Sequence, residues 1–219
     1  VAVVEPSLVL ERRLLREHSH LIALDEVGRG ALAGPVAVGA TVVDAAAARR
    51  RVPQGLRDSK LVPEKRRPEV AERAGAWAPA SAVGWATNAE IDEVGIMRAL
   101  GLAASRAIIA ACGDAWEASS ALVILDGNHD YVSAVHPGPL TVRSIIKADR
   151  DCASVAAASV LAKVARDALM VELAPEFPDY QWDRNKGYAS IEHREAIRLR
   201  GLTRHHRSSW AIADAPTLF

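Results

Sequence analysis

Apolar and polar positions along the chain shift between a period of two and a period near 3.6, and those shifts outline a series of strands and helices. Residues 7 to 17, SLVLERRLLRE, read as a short amphipathic helix. LIALD follows at 21 to 25, apolar on both faces as a central strand would be, and the valine-rich run GPVAVGATVV at 34 to 43 predicts a second strand. Only a glycine turn separates the two, so they are expected to pair as a hairpin. From 44 to 60 the chain reads as an irregular connection ending in LRDSK, after which Pro63 and Pro68 punctuate a charged helix, PEKRRPEVAERAG. SAVGWATN reads as a strand, and NAEIDEVGIMRALGLAASRAIIAAC as a long helical region broken at Gly95 or Gly101. ALVILD is a strand closing on Asp126, and TVRSIIKAD, 141 to 149, is read as another, closing on Asp149. DCASVAAASVLAKVARDALMVEL is helix by its alanine content, with Lys163 and Asp167 four apart, and a last helix covers 190 to 200 ahead of the basic cluster RHHRSSW.

Three predicted strands therefore end in acid: Asp25 with Glu26, Asp126, and Asp149. In an open α/β sheet, ligands and chemistry collect at strand ends, so these carboxylates are expected to converge on one pocket although they lie far apart in sequence.

Composition narrows the setting without naming a partner. The chain has 219 residues, half of them hydrophobic, enough for one substantial core. Its 27 basic and 27 acidic residues cancel, so any anionic partner must be recognised by where charges sit rather than by their sum. Cys112 and Cys152 fall in alanine-rich segments without disulfide or zinc spacing, which suggests a reducing, cytoplasmic setting. The first residues carry no signal-peptide pattern, and no apolar run approaches the length of about 20 residues that spans a bilayer. Nothing in the sequence demands more than a monomer.

Adjacent carboxylates at the end of a buried strand repel each other and resist desolvation, so a cation, a basic side chain or exposure must relieve them. The bland readings are that Asp126 belongs to an Asp-Gly turn and that Asp149 or Asp151 starts the following helix. Asp25 and Glu26 fit such a reading less well, because neighbours on a strand face opposite sides; if both serve one site, the strand must break its pleat there. GRGALA at 28 to 33 imitates a dinucleotide-binding loop, but Pro35 and a strand follow where a helix should begin. Acids without histidine-cysteine spacing favour a hard divalent ion, Mg²⁺ or Mn²⁺. Four of them around two ions about 3.5–4 Å apart would suit hydrolysis of a phosphodiester. His205 and His206, between Arg204 and Arg207, are read as solvated or phosphate-facing surface. Lys147, Lys163, Arg166, Arg184 and Lys186 form a candidate basic rim, and Tyr188 is read from its chemistry as core.

DEVGRG at 25 to 30, DSK at 58 to 60, LDGN at 125 to 128, KAD at 147 to 149 with AASVLAKVARD at 157 to 167, KGY at 186 to 188 and HHRSSW at 205 to 210 occur in one order. Together they resemble bacterial ribonuclease HII. The resemblance implies a ribonuclease H-like α/β fold, a mixed central sheet flanked by helices. Residues 20–174 would form the catalytic core, preceded by an N-terminal extension at 1–19 and followed by a small helical part at 175–212 and a tail at 213–219. It implies a metal-dependent endonuclease that cuts 5′ to a ribonucleotide embedded in duplex DNA, or within RNA paired to DNA, leaving 3′-hydroxyl and 5′-phosphate ends.

The family's catalytic metal ligands carry over to Asp25, Glu26, Asp126 and Asp149, with Mg²⁺ or Mn²⁺ as cofactor. Its substrate-binding positions carry over to Gly28, Arg29, Gly30, Ser59, Lys60, Lys147 and Tyr188, the tyrosine packing on the sugar at the RNA–DNA junction. Leu61, Ala148 and Gly95 depart from residues common in the family, and Asp151 is an extra acid assigned to the helix start. The ending DAPTLF resembles peptides that dock on the bacterial sliding clamp. The rival readings are a superfamily relative that needs runs of RNA and a metal-dependent nucleic-acid-binding protein without catalysis.

Overall fold

A computed structural model describes residues 5–113 and 121–210. Five strands, β1 (His20–Val27), β2 (Val36–Asp44), β3 (Ala80–Ala86), β4 (Ala121–Asp126) and β5 (Thr141–Ile145), form one sheet in the order β3-β2-β1-β4-β5. β1, β2 and β3 pair antiparallel, whereas β4 and β5 run parallel to β1, so the sheet is mixed and β1 is its centre. The expected hairpin across the glycine turn is present: Leu24 faces Ala40 and Asp25 faces Gly39.

The helices are α1 (Val9–Leu14), α2 (Arg67–Trp77), α3 (Asn88–Val94), α4 (Ile96–Cys112), α5 (Ala148–Asp151), α6 (Ala153–Leu173), α7 (Trp182–Asn185) and α8 (Ile191–Arg200). A capping box of Thr87 with Glu90 opens α3, and Gly95, at φ 79°, separates it from α4; Gly101 instead lies inside α4. Helix α4 covers one face of the sheet through Leu100, Ala103 and Ala107 on Ile22, Leu24 and Val38. On the opposite face, Val155 of α6 joins Leu21, Ala23, Leu122 and Ile124, while Val160 joins Val43, Val70 and Trp77. β1 is thus buried on both sides, as its unbroken apolar pattern requires.

Both covering helices are alanine-rich, and small residues let them lie close on the sheet. The closest approaches are glycines: a Cβ on Gly39 would strike the Ala158 carbonyl of α6, and one on Gly84 the Ala103 carbonyl of α4. Polar pins fix α6 at this distance. Thr41 Oγ1 donates to Ser154 O at 2.7 Å, and the buried Glu11 of α1 accepts from Ser154 N and Oγ at 2.9 and 2.8 Å.

Beyond α6, Leu32, Ala33, Met170, Tyr180, Trp182 and Ile197 form a separate apolar cluster that holds α7 and α8. In HHRSSW, His206 and Arg207 belong to this interior rather than to a solvated surface and His205 is half-buried, whereas Ser208 and Ser209 are exposed. Two free cysteines occupy the end of α4 and the junction of α5 with α6, where the helix predicted as continuous from 151 breaks at Cys152. Among the described residues no helix is long and apolar enough to cross a membrane.

Gly39→Ala is expected to cost about 1–3 kcal/mol by overpacking against the α6 backbone, read as a lower urea midpoint with an unchanged slope.

Candidate active site

The acids gather at the edge of the sheet where β1 and β4 end. Asp25 and Glu26 both lie within β1, which continues unbroken to Val27, so the pleat is kept and the two side chains leave opposite faces. Asp25 is buried toward α6, where the Ser159 hydroxyl hydrogen-bonds it; Glu26 turns toward Tyr131, whose hydroxyl donates to Glu26 Oε2 at 3.3 Å. The break expected from their adjacency is unnecessary because the site wraps around the strand end. Asp126 closes β4, one residue beyond the pair Leu24–Leu125.

Asp149 does not end a strand. β5 stops at Ile145, Lys147 adopts a left-handed conformation at φ 62°, and the one-turn helix α5 presents Asp149. Asp126 organises this turn, its Oδ1 accepting from Ala148 N at 2.7 Å and from Asp149 N at 3.3 Å. Asp126 therefore ends a strand and precedes a turn, but its strand β4 pairs with β5 in parallel, so this is no hairpin.

The carboxylates feel one another. Burial, followed by Glu26, Asp126 and Asp149, pushes Asp25 well above its ordinary range despite the Ser159 hydrogen bond. Burial raises Glu26, opposed by Arg29 and reinforced by Asp126. Burial and then Asp126 and Asp58 raise Asp149 to about 6, with Lys60 opposing. Lys60 responds in reverse: burial pulls its ammonium down, and Asp58, Asp25, Asp149 and Asp126 more than offset this. Its Nζ, on a side chain 81% exposed, stands 4.0 Å from Asp149 Oδ2.

One cation at 4.0 Å and the Arg29 guanidinium, 3.7 Å from Glu26, do not neutralise four acids. The donor set fits hard divalent ions, which take carboxylate oxygen and remove the repulsion that burial creates. Among the described residues no three His, Cys, Asp or Glu side chains stand in ready ligating geometry, so Asp25, Glu26, Asp126 and Asp149 form a crowded rim rather than a closed cage.

Next to this rim, the turn after β1 is built on backbone. Gly28, at φ 86°, leaves no room for a side chain because a Cβ would collide with Arg166. Its amide donates to Tyr188 Oη at 3.1 Å, and the tyrosine ring lies under Lys163 and Arg166, at 5.6 and 5.3 Å from its centroid. Tyr188 is half-buried, so the core reading is replaced by a ring at the border of the turn. Arg29 and Gly30 are exposed.

Residues 22–213 match the family model described as Ribonuclease HII. The chain belongs to the ribonuclease HII family. It is 47% identical over 195 residues to Ribonuclease HII of Streptomyces avermitilis, covering 89% of this chain and 78% of that protein. The ribonuclease H2 structure from Pyrococcus horikoshii OT3 superposes with TM-score 0.70 at 25% identity, covering 89% of this chain and 95% of that one. Bst-RNase HIII in complex with Mn²⁺ gives 0.71 at 23% identity, covering 95% and 72%. The RNase HII of the PCNA complex from Archaeoglobus fulgidus gives 0.66 at 23%, covering 87% and 94%. The last two carry the fold alone; the chain has the ribonuclease H-like mixed sheet and, as a member of this family, is a metal-dependent nuclease, a hydrolase.

The expected basic rim divides. Lys147 and Arg184 are exposed, but Arg166 is wholly buried, donating to Pro35 O, Lys186 O and Ala33 O, and Lys186 is buried against Glu64 at 3.2 Å. Lys163 pairs with Asp167 at 2.9 Å. Ser59 is also buried, bonded at 3.0 Å to Ser159 Oγ, so its side chain braces the acid-bearing strand end while Lys60 faces out. Asp151 pairs with Arg150 at 2.7 Å on the surface, away from the carboxylate rim. Ser159, Tyr131 and Arg207 are site neighbours that sequence reasoning missed. The polar positions 154, 159, 163 and 166 along an alanine-rich helix were the available signal for the first.

Because Asp149 is raised in the fold, the unfolded chain ionises this group first, so its own contribution to folding stability falls as pH climbs from about 3.8 to about 6 and is constant above. In chelator, Asp149→Asn should gain about 1 kcal/mol on the parent across that window, once screening is allowed for. Saturating Mg²⁺ should reverse the order above it, both read by thermal melts.

Proposed function

We propose that this ribonuclease HII cuts the phosphodiester 5′ to a ribonucleotide embedded in duplex DNA, or within RNA paired to DNA, and serves ribonucleotide removal. The observation that carries the reading is the juxtaposition of four mutually repelling carboxylates with a backbone-built turn and a half-buried tyrosine. Two bound Mg²⁺ or Mn²⁺ ions would supply charge neutralisation and activation of water for in-line displacement, leaving 3′-hydroxyl and 5′-phosphate ends.

The chain's own residues do the rest. Asp25 and Glu26 would offer oxygens from opposite faces of one strand, Asp126 from the neighbouring strand and Asp149 from α5, so bound ions would be held from elements of the sheet and the turn beside it. Asp126 has a second task, since its Oδ1 holds the amide of Ala148 and thereby the position of Asp149. Tyr188 Oη already accepts the Gly28 amide, so its own proton is free for a ligand; with Gly28, Arg29 and Gly30 it would read the ribose 2′-hydroxyl, which distinguishes RNA from DNA. Lys60 and Lys147, both exposed beside the acids, would meet backbone phosphate, with Ser59 holding the Lys60 turn in place.

A solved relative is a PCNA:RNase HII complex. The ending DAPTLF lies outside the described residues, and we assign it to sliding-clamp docking on its sequence alone. A pull-down on the clamp with and without the last six residues tests this, equal recovery counting against it. We also assign the enzyme to the cytoplasm as a monomer.

Asp126→Asn keeps an oxygen for the Ala148 amide while removing a charge. It should lower nicking of a single-ribonucleotide duplex in Mg²⁺ by about 10³-fold or more, with duplex affinity within about threefold. Retained nicking would remove Asp126 from the site. Comparable wild-type assays on that duplex and on a continuous RNA–DNA hybrid separate the proposed specificity from that of a relative needing runs of RNA.

A further inference from the structure

Arg207 is a wholly buried guanidinium with no carboxylate at ion-pair distance among the described residues. It is satisfied by backbone instead: Nη2 donates to Gly28 O at 2.6 Å, Nη1 to Arg29 O at 2.9 Å, and Nε and Nη2 to Gly34 O at 3.3 and 3.2 Å. Burying a charge without a counter-ion is costly, and desolvation with the nearby Arg166 pulls its pKa down to about 9. A fold retains such a group only where its geometry is needed.

The peptides it grips are those of the glycine-arginine-glycine turn. The carbonyls of Gly28 and Arg29 share their peptide units with the amides of Arg29 and Gly30, and among the described residues neither amide donates to a protein acceptor. Holding both carbonyls from below fixes both peptide planes and aims the two free N–H groups outward; hydrogen bonding at the carbonyl also strengthens the donor on the same peptide.

The grip is itself held from two sides. Asp92 of α3 accepts from Ser208 N and Oγ and from Ser209 N and Oγ, at 2.6–3.0 Å. On the other side, Thr203 N donates to His206 Nδ1, which places the His206 proton on Nε2, 3.1 Å from His193 Nε2, an acceptor it shares with Trp182 Nε1–H at 3.1 Å. His193 Nδ1 then donates to Tyr188 O at 2.8 Å. One segment thus connects the turn to Tyr188.

We propose that Arg207, held by Asp92, is the positioning residue that presents the Arg29 and Gly30 amides to the ribose, so that it sets discrimination between ribonucleotide and deoxyribonucleotide rather than general duplex affinity. This rests on the ribose-reading role given above to the turn. Lysine at 207 keeps the charge but cannot hold two carbonyls in a planar fork.

The test measures Kd by anisotropy for a single-ribonucleotide duplex and for the same duplex in all-DNA form, in Mg²⁺ and in an Asp126→Asn background so that substrate persists. Arg207→Lys should lower the ribonucleotide preference about tenfold while the all-DNA Kd moves less than about twofold, and Asp92→Asn should lower it about threefold. An unchanged preference in Arg207→Lys, or equal weakening of both duplexes, would overturn the assignment. If Arg207→Lys fails to fold, an unchanged preference in Asp92→Asn does so. No preference in the background protein itself would instead sink the ribose-reading role of the turn, and this inference with it.

Discussion

The close seat of α6 on the sheet is the constraint on which the rest depends. Gly39 admits the Ala158 carbonyl, and Asp25 stands opposite Gly39 in the strand register, so the contact that brings helix to sheet is made beside the buried acid. The same helix carries, in successive turns, Ser154 to Thr41 and Glu11, Ser159 to Asp25 and Ser59, Lys163 over Tyr188, and Arg166 to the carbonyls at 33, 35 and 186. A larger residue at the seat would not merely loosen a core; it would shift the acid, the turn and the tyrosine together.

Two charge populations follow one another along β1 and the turn after it, and neither is neutralised by the other. Asp25, Glu26 and Asp149 combine burial with repulsion from neighbouring acids, Asp126 among them, and have few basic partners among the described residues, which is why the protons of these three are held too tightly. Arg166 and Arg207 are buried, and among the described residues their hydrogen bonds go to backbone carbonyls while their guanidinium groups lie over the Tyr188 and Trp210 rings. Had these groups paired, the site would be a satisfied ion-pair network with little reason to take up a ligand. Kept apart by glycine-rich backbone, one set carries largely uncompensated negative charge and the other fixes peptide dipoles, and the net charge of zero conceals both.

Much of this was legible in the sequence. The hairpin, the order of elements and the convergence of acids follow from runs such as LIALD and ALVILD, because a strand buried on both faces writes a continuous apolar signal. The signal failed where a tertiary contact decides conformation. TVRSIIKAD looks like a strand with an acidic end, yet an Asp126 oxygen captures the amides at 148 and 149 and winds that end into a helical turn. HHRSSW looks like surface because three of its six residues, His205, His206 and Arg207, are basic or imidazole-bearing and Arg204 precedes them; the acceptors of His206 and Arg207 are carbonyls and imidazoles supplied by residues some 10 to 180 positions away. Local pattern carries no record of such partners.

If the turn reads the ribose as proposed, discrimination by its exposed amides needs one more physical step. In the free protein the N–H groups of Arg29 and Gly30 face solvent, and water satisfies them as well as a ribose hydroxyl would, so their direction alone gives no selectivity. Selectivity arises when a docked duplex excludes that water: a 2′-hydroxyl then accepts what the turn offers, whereas deoxyribose leaves donors buried and unpaired. Flexible donors could swing away and recover a partner elsewhere. Donors whose peptide planes are clamped by a buried guanidinium cannot, so on the proposed reading the rigidity imposed from below would convert an ordinary turn into a surface that penalises the wrong sugar.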